Sequence, residues 1–295
     1  MIDLEQYHYD PAKKPVIGAT EQTVLERIPP RIAVRREAAI EFPHVILFCN
    51  DDRDAIIEPV RKQKDQLPKL YDFMLMENGG HIAGWLISDH FAADLQKKIA
   101  AYLDAAQGSS LLVADGNHSL VTAKCWYEEL KEKNPGVDLS DHPARYALVE
   151  LENILDTSVV FEPIHRVIFD VDADALLNDI SAICVPDGAP VEWVIGDRRG
   201  VVTLDVPKGE LTVSVLQKFL DKWLTENAGK IDYIHDTDAV ESLAANANTI
   251  GLMLPVFDKS ELFAFGASGK ILPRKTFSLG HGREKRYYLE GRRIK

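Results

Sequence analysis

The chain predicts an α/β (α+β) fold, a mixed β-sheet covered by helices. Two observations carry that reading. Apolar runs of strand length alternate along the chain with stretches of helical period, and hairpin signals interrupt the alternation. No internal repeat and no low-complexity tract competes with a compact globular arrangement.

The elements follow in order. Residues 1–18 read as irregular, with Pro11 and Pro15. "TEQTVLER" reads as a short helix capped by Thr20 and ended by Pro29-Pro30. "RIAVRR" and "HVILFCN" read as strands, and "RDAIIEPVRKQKDQLPKLYDF" as helix on either side of proline breaks. "FMLMENGGHIAGWLIS" sets two apolar runs around Asn78-Gly79-Gly80, a hairpin signal. "FAADLQKKIAAYLDAA" is helical by period and is followed by Gly108. A strand from Leu111 and a helix from about His118 to Lys133 come next. Beyond the polar stretch "KEKNPGVDLSDHP", "YALVELENI" and "VVFEPIHRVIF" read as strands, with a helix near Asp172 to Ala182. "EWVIG" and "VVTLDV" suggest a second hairpin. "TVSVLQKFLDKWLTE" and "AVESLAANA" read as helices, and "TIGLMLPV" as a buried strand. "SELFAFGASG" reads as a helix capped by Ser260 and stopped by Gly269. The polar stretch at 131–143 is the expected boundary. It divides the chain into 1–140 and a second α/β subdomain, 141–295, that ends in a basic segment.

Composition narrows the function. The 295 residues are 46% hydrophobic, enough for one large core or two modest ones, and the formal charge is −12. A negative field of that size disfavours nucleic acid and anionic membrane as partners. Cys49, Cys125 and Cys184 stand far apart with no CxxC, so neither a zinc ribbon nor a disulfide framework is expected. The nine histidines show no metal spacing, and no metal site is expected. The start carries no signal-peptide pattern and no apolar run reaches membrane-spanning length, so a cytoplasmic protein is expected. There is no GxxxxGK[ST], GxGxxG, HExxH or GxSxG; "GASGK" closes a helix and does not open one.

What remains is "LLVADGNHSLVTAK", residues 111–124. A strand feeding a glycine turn into a helix N-terminus offers unpaired backbone N–H groups and the positive end of the helix dipole, a natural anion site. Gly116 lets backbone approach a ligand. Asp115 suits orientation of a hydroxyl or metal-bound water, and His118 suits donation to phosphate or proton transfer. Turn chemistry accounts for Asp115, Gly116 and Asn117 equally well, and Asn117 could simply cap the helix, but it leaves His118 unexplained. Two further clusters stand out. "ATEQTVLERIPPR" gathers Thr20, Glu21, Thr23, Glu26, Arg27 and Arg31, which read either as a solvated ion-paired helix or as part of a site. "ILPRKTFSLGHGREKRYYLEGRRIK" is basic within an acidic chain. It reads either as a charged tail or, through Pro273 and Phe277, as an ordered segment that brings Arg274 and Lys275 to an anion near the Asp115 loop. In "EPIHRVIF", His165 and Arg166 are neighbours on a strand, so at most one is expected to face a core or site.

Six ordered blocks, "ADGNHSLVTAK", "ATEQTVLERIPPR", "GGHIAGWLISD", "EPIHRVIF", "YIHDTDAVE" and "LPRKTFSLGHGREKRYYLEGRRI", together resemble the bacterial domain-of-unknown-function family 1015. Many of its members carry an Asp-Gly-His-His-Arg box. Asp115, Gly116 and His118 match it; Asn117 and Ser119 stand where that box has histidine and arginine, a version similar to a clostridial-type branch. Members are longer ahead of the position of Met1. This chain is therefore expected to be N-terminally short, to expose an apolar surface and to form a homo-oligomer. The box is also similar to that of the ParB-like superfamily, which includes partition proteins, sulfiredoxin and a free-serine kinase, and the fold it implies has a ParB-like corner at residues 115–119. Gene neighbourhoods of the family imply a link to serine biosynthesis.

The resemblance implies phosphoryl or phosphate-ester chemistry on a small phosphorylated metabolite, with serine or phosphoserine as substrate and ADP or ATP with Mg2+ as cofactors. On that expectation Gly116, Asn117 and Ser119 hold phosphate, His118 stabilises charge or shuttles a proton, and Asp115 orients the nucleophile. Glu21 or Glu26 is the base, and Arg27, Arg31, Lys124, Arg274 and Lys275 supply positive charge. A metabolite- or nucleotide-binding regulator without turnover is the alternative; a ParB-like nucleic-acid-associated protein is the third.

Overall fold

The computed structural model describes residues 1–42, 45–106, 109–280, 287 and 289–295. The chain forms two compact units: residues 1–160, 259–271 and 280–295 make the first, and 161–258 with 272–279 the second. The polar stretch at 131–143 lies within the first unit.

In unit 1 a five-stranded sheet has the spatial order β7-β3-β6-β2-β1, where β1 is Tyr7–His8, β2 Ile17–Gly18, β3 Ile46–Cys49, β6 Leu111–Asp115 and β7 Glu150–Asn153. Only the β3–β6 pair is antiparallel, and its register shifts between Ile46 and Leu47. β6 is central, and the alternation of its side chains divides them between the two faces. Leu111 and Val113 join Leu47 and Cys49 in a core closed by α1 (Ile28–Glu37) and α3 (Asn117–Lys133) through Ile28, Ile32, Leu120, Val121 and Trp126. Leu112 turns the other way, against Gly266 of a short helix, Leu262–Ala267. β4 (Lys69–Met74) and β5 (His81–Trp85) form the expected hairpin, and α2 (Asp89–Ala105) follows it.

Unit 2 carries an antiparallel sheet. With β8 as Phe161–Pro163, β9 as His165–Phe169, β10 as Cys184–Ile195, β11 as Arg198–Leu204, β12 as Lys230–Ile234 and β13 as Thr249–Met253, its order is β11-β10-β13-β9-β12. α4 (Ala173–Ser181) and α5 (Thr212–Glu226) cover one face through Leu176, Ile180, Leu216 and Leu220. α6 (Thr237–Ala244) covers the other through Val240 and Ala244. β14 (Phe277–Leu279) pairs with β8, and Phe161, Phe257 and Phe277 stack beside it.

Five expectations are corrected. "TEQTVLER" is not a helix capped by Thr20: residues 20–24 are not helical, and only Leu25–Arg27 forms a 3₁₀ turn. Pro29 and Pro30 do not end a helix: they begin α1, because proline is tolerated in a helix's first turn, where the N–H it lacks has no intrahelical acceptor. "RIAVRR" is consequently helix and not strand, with Ile28 and Ile32 on its buried side. "KLYDF" is strand β4 and not helix. His165 and Arg166 are both buried, because β9 is an inner strand of a sheet covered on both faces. His165 Nδ1 accepts the Leu254 N–H (3.2 Å), and Arg166 reaches Gln217 of α5.

Candidate functional site

β6 ends at Asp115. Gly116, at φ 86°, takes the left-handed conformation that turns the chain into α3, a position any side chain would strain. Asp115 Oδ1 accepts the Gly116 N–H (2.7 Å), and Leu120 N–H closes the first helical bond onto the Gly116 carbonyl (3.0 Å). Asn117 therefore opens the helix; it does not cap it.

The corner then sorts its side chains. Asn117 is buried, Asp115 and His118 are partly covered, and Ser119 is exposed. Asn117 Nδ2 donates to Thr20 Oγ1 (3.2 Å), its Oδ1 accepts the Thr20 N–H (3.4 Å), and the Thr20 hydroxyl donates to the Val113 carbonyl of β6 (2.6 Å). His118 Nε2 accepts the N–H of Val24 (3.2 Å). The loop from Thr20 to Val24 is thus fastened at both ends to the corner, which brings Glu21 to it across some ninety residues of sequence. The hydroxyl of Thr23 is buried and, among the described residues, has no hydrogen-bond partner.

The corner N–H groups of Asn117, His118 and Ser119 belong to a first helical turn, where no intrahelical acceptor is available. With the helix dipole they favour an anion. Acting as an acceptor, Nε2 of His118 is unprotonated, which leaves the ring's other nitrogen to carry the proton.

The other expected residues are placed as follows. Glu26 and Arg27 lie exposed on the single 3₁₀ turn before α1, and Arg31 bonds back to the Arg27 carbonyl (3.0 Å). Lys124 lies two turns further along α3, paired with Glu128 (2.9 Å) and Glu5 (3.3 Å). It lines a groove of about 790 Å³ whose walls include none of residues 115–119. Arg274 and Lys275 belong to unit 2. Arg274 Nε donates to the Tyr233 hydroxyl (3.0 Å), and the Lys275 carbonyl accepts from Arg166 (3.0 Å). Of the basic C-terminal segment, residues 281–286 and 288 lie outside the described residues. Among the described residues no group of three or more His, Cys, Asp or Glu is set to hold a metal, and no helix is long and apolar enough to cross a membrane.

Thr20, expected only as a helix cap and as one member of the polar cluster at 19–31, joins loop, strand and helix. Its signal was its place at the end of the apolar "VIGA", where a buried hydroxyl must find a partner.

Fold and corner together define an α/β protein with a glycine-turned helix N-terminus at the end of a central strand. The chain belongs to the family described as protein of unknown function DUF1015, whose model matches residues 2–263. No curated protein matches it. Among solved structures it is similar to free serine kinase in complex with AMP (TM-score 0.50, 12% identity, 95% of this chain and 86% of that one). It is also similar to SbnI with C-terminal truncation from Staphylococcus aureus (0.49, 11%, 95% and 82%) and to a conserved hypothetical protein from Pyrococcus furiosus (0.48, 10%, 95% and 90%). At 12% identity the likeness to the kinase is one of fold.

Proposed function

We propose that the chain transfers a phosphoryl group between a nucleotide and a small hydroxyl metabolite, with serine as acceptor or phosphoserine as donor. The observation that carries the reading is the fastening of the Thr20–Val24 loop, which includes Glu21, to Asn117 and His118 at a helix N-terminus suited to phosphate. The likeness in fold to a kinase solved with AMP supports it.

In this reading the N–H groups of Gly116 to Ser119 and the Ser119 hydroxyl hold phosphate, and Asn117 positions the loop from within. Glu21 accepts the proton of the metabolite hydroxyl as its oxygen bonds to phosphorus and the nucleotide leaves one phosphate shorter; Glu26 is the second candidate for that role. His118 holds the loop through Val24 and turns its protonated nitrogen to developing charge. Arg27 and Arg31 add positive charge; Lys124, committed to Glu5 and Glu128, does not. The reading rests on unit 1 alone. Mg2+ is commonly held by one or two carboxylates together with substrate phosphates, and Asp115 fits as its protein ligand; when bound, the ion would offset phosphate charge.

A second reading, a nucleotide-binding regulator without turnover, is favoured by Ser119, which stands where the resembling box has an arginine to clamp phosphate. One experiment separates the two. Phosphorus NMR of the chain with serine, Mg2+ and ATP or ADP, repeated with Glu21→Gln and Glu26→Gln, should show phosphoserine with the parent chain. It should show a rate at least ~100-fold lower with the variant that lacks the base, at unchanged nucleotide affinity. Nucleotide binding with no turnover in any chain favours the regulator. No nucleotide or phosphoserine binding at all overturns both.

A further inference from the structure

From residue 68 to 106, not one described residue is buried, although the stretch holds Leu70, Phe73, Met74, Met76, Leu86 and Ile87. Its hairpin is a two-stranded sheet with no third strand among the described residues, and α2, seventeen residues long, buries no side chain fully. A lone two-stranded hairpin is marginal in water. What steadies this one is local. The Tyr71 ring lies where any side chain at Gly84 would go, Tyr71 donates to Glu290 (2.6 Å), and the Tyr287 hydroxyl donates to the Met76 carbonyl. None of these contacts covers the apolar side chains. Met76 is 74% exposed, Met74 69% and Leu70 61%.

We infer that this hairpin is the contact surface between two copies of the chain. The exposure fits: Leu70, Met74 and Met76 are each more than 60% exposed, and large exposed apolar side chains gathered on one hairpin mark an interaction surface. The charge fits as well. The whole chain carries −12, so two copies repel each other over most of their surface. Residues 61–87, by contrast, hold Arg61, Lys62, Lys64 and Lys69 against Asp65, Asp72 and Glu77, and Lys69, Asp72 and His81 are already paired among themselves. Self-approach meets the least like charge here. A two-fold contact brings the same surface from both copies together, so apolar side chains meet apolar counterparts, and strand edges that have no further partner among the described residues are available to one another. The inference is independent of the phosphoryl-transfer reading.

The test is sedimentation velocity from about 1 to 100 μM on the parent chain and on Leu70→Asp combined with Met74→Lys. Both sites are exposed and distant in sequence from residues 19–27 and 115–119. A concentration-dependent dimer in the parent, with the dissociation constant raised at least ~100-fold in the double variant at an unchanged melting temperature, is the expected result. A parent that stays monomeric throughout overturns the inference, and so does a double variant that dimerises like the parent. Should the double variant fail to fold, hydrogen exchange on the parent decides. Amides of 69–85 exchange more slowly at the higher concentration if this face is the contact, and at an unchanged rate if it is not.

Discussion

Asn117→Ala tests the architecture of the corner most directly. The side chain is buried and makes two bonds to Thr20, one donated at 3.2 Å and one accepted at 3.4 Å. Losing the first costs about 1 kcal/mol. Losing the second strands the Thr20 N–H for about 1–2 kcal/mol, toward the lower end because that bond is already long. Alanine is the better helix former by up to ~0.7 kcal/mol, which offsets part of the loss. The net is about 1.5 kcal/mol. For a unit of nearly two hundred residues that corresponds to a fall of roughly 3–6 °C in its melting transition. Scanning calorimetry reads it, with hydrogen exchange of β6 and α3 assigning the transition to unit 1. Thr20→Val removes the hydroxyl that links Asn117 to Val113. The double variant should therefore cost about 1 kcal/mol less than the two single changes added together. A shift under ~1 °C for Asn117→Ala, or strict additivity with Thr20→Val, would refute the account of Asn117 as the clamp between loop and helix.

Three further outcomes follow from other sites. His118→Ala should lower stability by about 1 kcal/mol, through loss of the acceptor for Val24 N–H, and should also weaken nucleotide binding about tenfold; isothermal titration beside a thermal melt reads both. Glu152, half-buried on β7, has its carboxyl pushed up to about 7 by desolvation and then by Glu150 and Asp156. A carboxyl raised above its unfolded value destabilises as it ionises, so unit 1 should lose stability as pH rises from about 4.5 through 7. Glu152→Gln should then melt higher than the parent at pH 8 and at the same temperature at pH 4.5. Arg166→Met should free residues 272–279, because the carbonyls of Ile164, Arg274 and Lys275 lose their donor at a cost above ~2 kcal/mol, and faster limited proteolysis in that segment is the readout.

Much of the fold was legible in local pattern. The β4–β5 hairpin announced itself through Asn78-Gly79-Gly80, where positive φ at Glu77, Asn78 and Gly80 makes the turn. α5 coincides with "TVSVLQKFLDKWLTE" because its apolar residues fall on one stripe over a continuous run. The failures share a cause. "RIAVRR" has strand-like alternation over six residues, too few to separate the two periods, and Pro29-Pro30 was read as a stop when its position relative to Ile28 makes it a start. The burial of both His165 and Arg166 was not legible, since strand alternation tells which residues share a face but not whether both faces are covered. At the corner, the strand, the glycine and the helix were visible in residues 111–133. The bond between His118 and Val24 was not, because it joins segments about ninety residues apart that no local pattern connects.

The environment of Arg166 shows how unit 2 fixes its basic loop. The guanidinium is fully buried, and among the described residues no carboxylate bonds to it. It is held by Gln217 Oε1 and by the carbonyls of Ile164, Lys275 and Arg274, and it stacks on Tyr233. Burial, and then the neighbouring Arg274, pull its pKa down to about 10, which still leaves it charged near neutrality. Uncharged acceptors must therefore supply what solvent and a counter-ion normally would, and two of them come from the Arg274-Lys275 backbone itself. Those carbonyls can point inward only if the chain turns sharply there, and Lys275 takes the left-handed conformation, φ 59°, that the turn requires. The guanidinium and the strained turn depend on each other: removing the charge relaxes the turn, and straightening the turn leaves the charge unsolvated. A segment held this way is part of the folded unit. The cationic side chains of Arg274 and Lys275 are thus carried on a fixed backbone, which a charged tail would not provide.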